Sequence, residues 1–279
     1  MATEHPLTRA NRIALARAFR DVPRVDLSIG CALEDQMGSA FVDDVGDPRA
    51  FQIAVGPFRY FAGDPTVPGA RAMLETLPAG SFLMPSAPGW LEAAQAIHGE
   101  KLVPLRRHSF SSKGLSAAHL RELGQRSKFA DRVEEMDAAF AARVWGQDHF
   151  VDLSTYESPE DFGRRGIGFT VEDKGTIVGA AFASLVNTKG IEVSLYVVPD
   201  YRRQGIGTLL ASRLLLSCLE SGRDPHWDAA NPESCRLAEY LGYAPAGTCT
   251  AHYLQGWLRH SRCTATSRSD PGPACSCPV

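Results

Sequence analysis

The chain has 279 residues, of which 44% are hydrophobic and 22% charged, and a formal net charge of −3. That length holds one large domain or two small ones, and the acidic balance argues against a general nucleic-acid binder, which carries a basic stripe. No apolar stretch approaches the roughly 20 residues of a membrane span, and no basic segment followed by an apolar run opens the chain, so the expectation is a cytoplasmic, reduced protein.

In chain order, residues 10–19 place Ile13, Ala16 and Phe19 at helical spacing. Residues 51–55 and 58–61 read as strands around Gly56-Pro57, residues 68–77 and 89–98 as helices, and residues 101–110 as a strand or linker. A polar break at 111–114 marks the expected domain boundary, giving an amino-terminal α/β domain over 1–114. Residues 116–144 read as one or two helices. At Ser158-Pro159-Glu160-Asp161 a short helix starts, with Ser158 as N-cap, Pro159 at N1 and acids in the first turn. Strands follow at 168–171 and 176–184 around the turn Glu172 to Gly175, and at 191–198. A helix runs from Gly205 to about Ser221 and stops at Gly222. Residues 226–229 form a short strand, and Asn231-Pro232 starts a last helix that ends at Gly242. Residues 263–279, rich in Ser, Thr, Pro and Cys, read as a disordered tail. No internal repeat is visible. The seven cysteines (Cys31, Cys218, Cys235, Cys249, Cys263, Cys275, Cys277) match no zinc spacing. Cys275-Ser276-Cys277 offers two ligands where zinc takes four, so no metal is expected.

The segment 191–219 carries the chemistry. A strand ends at Pro199, a loop presents Arg202, Arg203, Gly205 and Gly207, and an apolar helix follows. The glycines relax the limits on φ and let the backbone approach a ligand. The first turn of the helix has free N–H groups at the positive end of the dipole, a geometry that binds a phosphate. Ile206, Leu210, Leu214 and Cys218 form one i+4 row that buries the helix against a sheet. The loop lacks the Gly-Lys-Ser/Thr of a P-loop and the third glycine of a dinucleotide fingerprint.

Leu195 to Leu210, with Val198-Pro199-Asp200-Tyr201-Arg202-Arg203-Gln204-Gly205-Ile206-Gly207 at its centre, resembles motif A of the GNAT acetyltransferase superfamily. Asn231-Pro232-Glu233-Ser234 and Leu237 to Tyr243 resemble its motif B. Segments 156–169, 191–193, 225–231 and 234–243 resemble the GNAT subgroup that includes zwittermicin-resistance acetyltransferases, which carries an additional amino-terminal domain. The resemblance implies an α/β (α+β) GNAT fold over 115–262, with a central mixed, mostly antiparallel sheet flanked by helices. It also implies acetyl-CoA or another acyl-CoA as donor and an amine of a small molecule or peptide as acceptor. Backbone N–H groups of Gln204, Gly205, Ile206, Gly207 and Thr208 would hold the pyrophosphate with Arg202 and Arg203 nearby. The strand end at Tyr196, Val197 and Val198 would offer backbone groups to the pantetheine arm, and Asn231 would contact the cofactor or simply cap its helix.

Amine acylation needs a base, and a carboxylate serves. Glu192 is the candidate: period-two alternation puts it on one face with Ser194 and Tyr196, opposite Val193, Leu195 and Val197. Partial burial would raise its pKa; the competing reading is a salt-bridged strand Glu. At the position where the family commonly has a thiol-facing Tyr stands Ala238. Tyr240 lies about 200° further round the helix, and Ser234, one turn before Ala238, is either a partner of the sulfur or a capping residue. Trp227 is expected in the core. Asp228 either lines the acceptor site or makes a structural hydrogen bond. His108, His119 and His149 have no motif around them. The alternative from another class is a non-catalytic acyl-CoA-binding sensor.

Overall fold

In a computed structural model, residues 2–147 and 150–256 are described. The first part of the chain runs β1 (Thr3–Glu4), α1 (Arg9–Ala18), α2 (Ser28–Leu33), β2 (Ser39–Val42), β3 (Ala50–Val55), β4 (Phe58–Gly63), α3 (Pro68–Glu75), β5 (Phe82–Leu83), α4 (Trp90–His98) and β6 (Leu102–Ser111). After α5 (Ala117–Gln125) come β7 (Val133–Glu135), α6 (Ala138–Val144), α7 (Pro159–Arg165), β8 (Gly168–Asp173), β9 (Thr176–Val186) and β10 (Gly190–Val197). The chain then forms α8 (Ile206–Glu220), β11 (Asp224–Ala229), α9 (Pro232–Leu241) and β12 (Ala244–Leu254).

All twelve strands join one sheet in the order β1-β2-β3-β4-β5-β12-β6-β11-β10-β9-β8-β7. Only β4 with β5 and β10 with β11 pair in parallel. β1–β6 and β7–β12 carry their helices in the same sequence, β-α-α-β-β-β-α-β-α-β, and the sheet order reads the same from either end when strand n is exchanged with strand n+6. The fold is therefore a tandem repeat of one topology, although the sequence shows none. The halves exchange their last strands: β6 pairs with β11 of the second half and β12 with β5 of the first, and β6 and β12 pair along their lengths at the centre. Hydrogen bonding thus runs across the expected boundary at residue 114, and the expected tail at 263–279 lies outside the described residues.

Local signals set most element ends. Ser158 Oγ accepts from the Asp161 N–H at 3.2 Å, with Pro159 at N1 and Arg164 and Arg165 in the last turn of α7. Lys174 and Gly175, both with positive φ, make the tight turn between β8 and β9. α8 is buried along Ile206, Leu209, Leu210, Leu214 and Leu215. At about 1.5–3 kcal/mol per fully buried aliphatic side chain, that row fixes the helix by on the order of 10 kcal/mol. Gly179 of β9 permits the approach, since a Cβ there would lie 2.9 Å from Ile206 Cγ2.

Several elements differ from expectation. The region 116–144 breaks into α5, β7 and α6; β7 is a three-residue edge strand held by β8. α2, the short strands β1, β2 and β5, and β12 do not follow from the sequence reading. β12 contains Pro245 and Gly247 and is a strand because β6 bonds it at ten registered positions.

On one face of the sheet, α3 and α4 share a core with Phe61, Leu83, Leu102 and Leu254, while α8 and α9 lie over the corresponding part of the second half. The other face holds α1, α2, α6 and α7. The sheet curls enough for α2 to touch both β3 and β9. Cys31 Sγ donates to Val186 O at 3.4 Å, and Arg165 Nη1 donates to Gln36 O at 2.8 Å, tying the two halves together over this concave face.

Candidate active site

The loop between β10 and α8 has the shape expected of an anion cradle. Gly205, at φ 84°, is the N-cap of α8 and offers no capping side chain, so the amides of the first helical turn stay open. Arg203 also has positive φ, 61°, a conformation uncommon outside glycine. Two left-handed residues in one loop turn successive amides inward, which is how backbone nests bind anions. Gln204 donates its amide to Asp200 O at 3.1 Å and Thr208 lies in the first turn. Arg202 is tied back: its Nε donates to Val197 O at 2.9 Å and its guanidinium sits 5.6 Å from the centre of the Tyr196 ring, which stacks on Phe150. Arg203 supplies the freer charge. The equivalent loop of the first half starts at Gly63, with φ 81°, and its helix N-cap Val67 also lacks a capping side chain, but it has no arginine–glycine run. Asp64 stands there, with Thr66 donating both its N–H and its hydroxyl to the carboxylate, and Pro68 begins α3.

β10 and β11 bond to each other only over Gly190–Glu192 against Asp224–His226. Beyond that, β10 continues on β9 while β11 continues on β6. The strands part at Glu192 and His226, whose side chains point to the concave face: Glu192 Oε2 lies 2.8 Å from His226 Nδ1. Glu192 is 7% exposed, and the His226 side chain, at 21%, is the accessible member. Burial pushes the Glu192 carboxyl up, partly offset by His226. The Glu192 carboxylate in turn pulls His226 up to about 9, against the effect of burial. The pair thus holds a proton to higher pH than a free imidazole would. Glu192 stands six residues before Val198, about 20 Å along an extended strand, so the pair and the loop lie at opposite ends of β10.

Asp228 also lies on this face, but its side chain is 2% exposed and bound by Arg107 of β6, with Nε to Oδ2 at 2.9 Å and Nη2 to Oδ2 at 2.8 Å. Burial pushes Asp228 up to about 6 even so, because it outweighs the Arg107 attraction. Of the two roles open to Asp228, the geometry gives the structural one. Two further groups come from the first half: Asp26, just before α2, and Tyr60 of β4, respectively 6% and 0% exposed. Burial raises both, Tyr60 further through the neighbouring Asp26 carboxylate.

Asn231 Oδ1 accepts from the Ser234 N–H at 2.8 Å, so its capping role is observed. Ser234 Oγ accepts from Trp227 Nε1 at 3.1 Å and is buried with Trp227 and Ala238 on the α8–α9 side of the sheet, opposite Glu192. Ser234 therefore packs, its N–H being the group that Asn231 caps; it does not present a hydroxyl on the face of the pair. Tyr240 is 51% exposed with its ring against His119, away from the site. His149 lies outside the described residues. Sequence reasoning missed His226, Arg107 and Asp26. The alternation of His226, Trp227 and Asp228 signalled that His226 shares a face with Asp228, but only the register of β11 against β10 sets it beside Glu192. A cavity of about 940 Å³, lined in part by Gln52, Arg59 and Thr76 of the first half, includes none of the loop or pair residues.

Residues 26–252 match the model of a family described as GNAT acetyltransferase, spanning both halves. The uncharacterized N-acetyltransferase YdfB of Bacillus subtilis is 25% identical over 230 residues, covering 77% of this chain and 85% of that protein. The crystal structure of a GCN5-related N-acetyltransferase-like protein from Streptococcus suis superposes with a TM-score of 0.77 at 24% identity, over 89% of this chain and all of that one. A GNAT-family acetyltransferase from Colwellia psychrerythraea gives a TM-score of 0.51 at 12% identity, over 92% of this chain and all of that one. The chain belongs to the GNAT acetyltransferase family and is an acyltransferase.

Proposed function

We propose that the protein transfers an acetyl group from acetyl-CoA to an amine of a small molecule or peptide. The observation that carries this reading is the buried Glu192–His226 pair at the point where β10 and β11 separate, on the strand that leads into the donor loop. The open amides from Gly205 to Thr208, with Arg203, fit a pyrophosphate, and the strand end at Tyr196, Val197 and Val198 fits an extended pantetheine arm. Asn231 has a spare amide for the same ligand. Acetyl-CoA supplies an activated acetyl group as a thioester.

The chain's own residues then manage one proton. An acceptor amine reaches the pair from the side of His226. As its nitrogen forms the new C–N bond and the C–S bond breaks, the proton it loses passes to Glu192, whose raised affinity suits a general base. His226, charged below about 9, keeps Glu192 ionised in a buried place. The leaving thiolate takes its proton from water, since Ala238 and Ser234 offer no acid on that face.

The test is acetyl-CoA titration by calorimetry together with thiol release across a panel of amines. Binding with release on at least one amine supports the reading. Tight binding with no release on any amine favours a sensor instead.

A further inference from the structure

The acyl-transfer reading does not use the cavity of about 940 Å³. Its floor is the face of β2, β3 and β4 turned towards α3. Ser39, Ala54 and Arg59 stand in register across the three strands, and Phe41 and Gln52 form the next row on the same face. Met73 of α3 and Leu77 after it belong to one wall. Asp152, Ser154 and Thr155 of the second half close the end beside Gly56, where a Cβ would lie 3.3 Å from Thr155 Cγ2. That segment is fixed to β9: Thr155 Oγ1 donates to Ser184 O at 2.6 Å, and the Tyr156 hydroxyl donates to Ala183 O at 2.8 Å. The cavity thus has preformed walls from both halves, and its size suits a small molecule.

Two polar side chains on the floor lack the partners that such burial calls for. Gln52 is 6% exposed and lines the cavity, yet its side-chain amide makes no hydrogen bond among the described residues. Arg59 is half-buried. Its Nη1 donates to Gly56 O at 2.5 Å and to Phe58 O at 2.9 Å, which fixes the guanidinium. Its Nε and Nη2 make no hydrogen bond, and no carboxylate pairs with it, among the described residues. Burial lowers the Arg59 pKa with no acid to offset the effect. Arg107 shows what that edge of a guanidinium does when an acid is present: its Nε and Nη2 together hold Asp228. Asp152, the acid that lines the same cavity, is exposed at the rim, and its Oδ1 accepts from the Ser154 N–H at 2.9 Å. Gln52 stands one strand across and two residues along from Arg59, about 8 Å away.

We propose that this cavity binds a small organic anion, with a carboxylate or phosphate on the Nε–Nη2 edge of Arg59, a hydrogen-bonding group on Gln52, and an apolar body between them against Phe41 and Met73. The guanidinium is held by backbone carbonyls on its other side, so a planar anion meets a preorganised fork. The site includes neither the donor loop nor the Glu192–His226 pair, and it stands whether or not the acyl-transfer reading does.

The test uses the full chain and three probes: suberamate, a carboxylate and a carboxamide joined by an aliphatic chain; phenyl phosphate; and hexanamide, which lacks the anion. By calorimetry at least one of the two anions should bind, and hexanamide should bind about 10-fold more weakly or worse, the scale of one charge-assisted hydrogen bond. Suberamate alone assigns the site to carboxylates, phenyl phosphate alone to phosphates. Arg59→Met should weaken the anion about 10-fold or more. Gln52→Leu should weaken suberamate by less and leave phenyl phosphate unchanged, and the Gln52 side-chain amide resonances should shift when suberamate is added. Should Arg59→Met fail to fold, Arg59→Lys is the substitute: it keeps the charge, loses the fork and should still weaken the anion. Failure of both anions to bind overturns the proposal. So does an anion that binds Arg59→Met as well as wild type, or one that loses its affinity in His226→Asn instead, which would place it at the pair.

Discussion

Breaking the Arg107–Asp228 ion pair tests whether this buried cluster supports the fold. Arg107 joins Asp228 through Nε and Nη2, and the two side chains are 9% and 2% exposed. In Arg107→Met, Asp228 stays behind as a buried carboxylate without its cation, near Glu192 and Asp26. Removing one partner of a buried pair costs about 3–5 kcal/mol, whereas replacing both by apolar groups of similar volume is neutral or stabilising. For a chain of this size the single change should lower Tm by about 6–20 °C. The loss should be smaller near pH 5 than near pH 8, because Asp228, already raised to about 6, escapes part of the penalty by taking a proton. Urea denaturation followed by circular dichroism, on Arg107→Met, Asp228→Leu and the double variant, gives the cycle. The double variant should regain most of what either single loses. Single variants within about 1 kcal/mol of wild type, or a double variant no better than the singles, would refute the assignment of Asp228 to a structural ion pair.

His226 titrates near 9 in the fold against 6.5 when free, so its pairing stabilises fully below 6.5 and fades as pH rises through 9, by on the order of 3 kcal/mol. His226→Asn should flatten that alkaline slope in a pH series of unfolding curves. Arg203→Ala should weaken acetyl-CoA binding about 10-fold or more by calorimetry, the scale of one charge-assisted hydrogen bond. Gly205→Ala, forced to φ 84°, should weaken it further without a large change in Tm. Trp227→Phe removes the bond to Ser234 Oγ and should cost about 1 kcal/mol of stability while leaving turnover within a few-fold, as expected if Ser234 only packs.

What was legible in the sequence was local. The donor loop could be read because its arginines, glycines and apolar helix are contiguous, and Glu192 because a carboxylate inside an apolar strand is conspicuous. The partners of Glu192 and Asp228 were not: Arg107 reaches Asp228 from the first half on the exchanged strand β6, and His226 meets Glu192 only through the register of β11 against β10, which no window of sequence contains. β12 was hidden for a related reason: Ala244–Leu254 has weak strand propensity and is ordered by its neighbours β5 and β6. The repeat itself survives as topology alone. Where the second half has the Arg-Gly loop and a fifteen-residue α8, the first has Asp64 and an eight-residue α3, so the residues that carry the motif are those that differ.

The most direct measurement is steady-state thiol release by Glu192→Gln on an amine that the wild type acetylates, across pH, beside its acetyl-CoA affinity. Loss of a general base should lower kcat by about 10²–10⁴-fold with donor affinity unchanged. Full turnover by the variant at every pH would contradict the assignment of proton transfer to the Glu192–His226 pair.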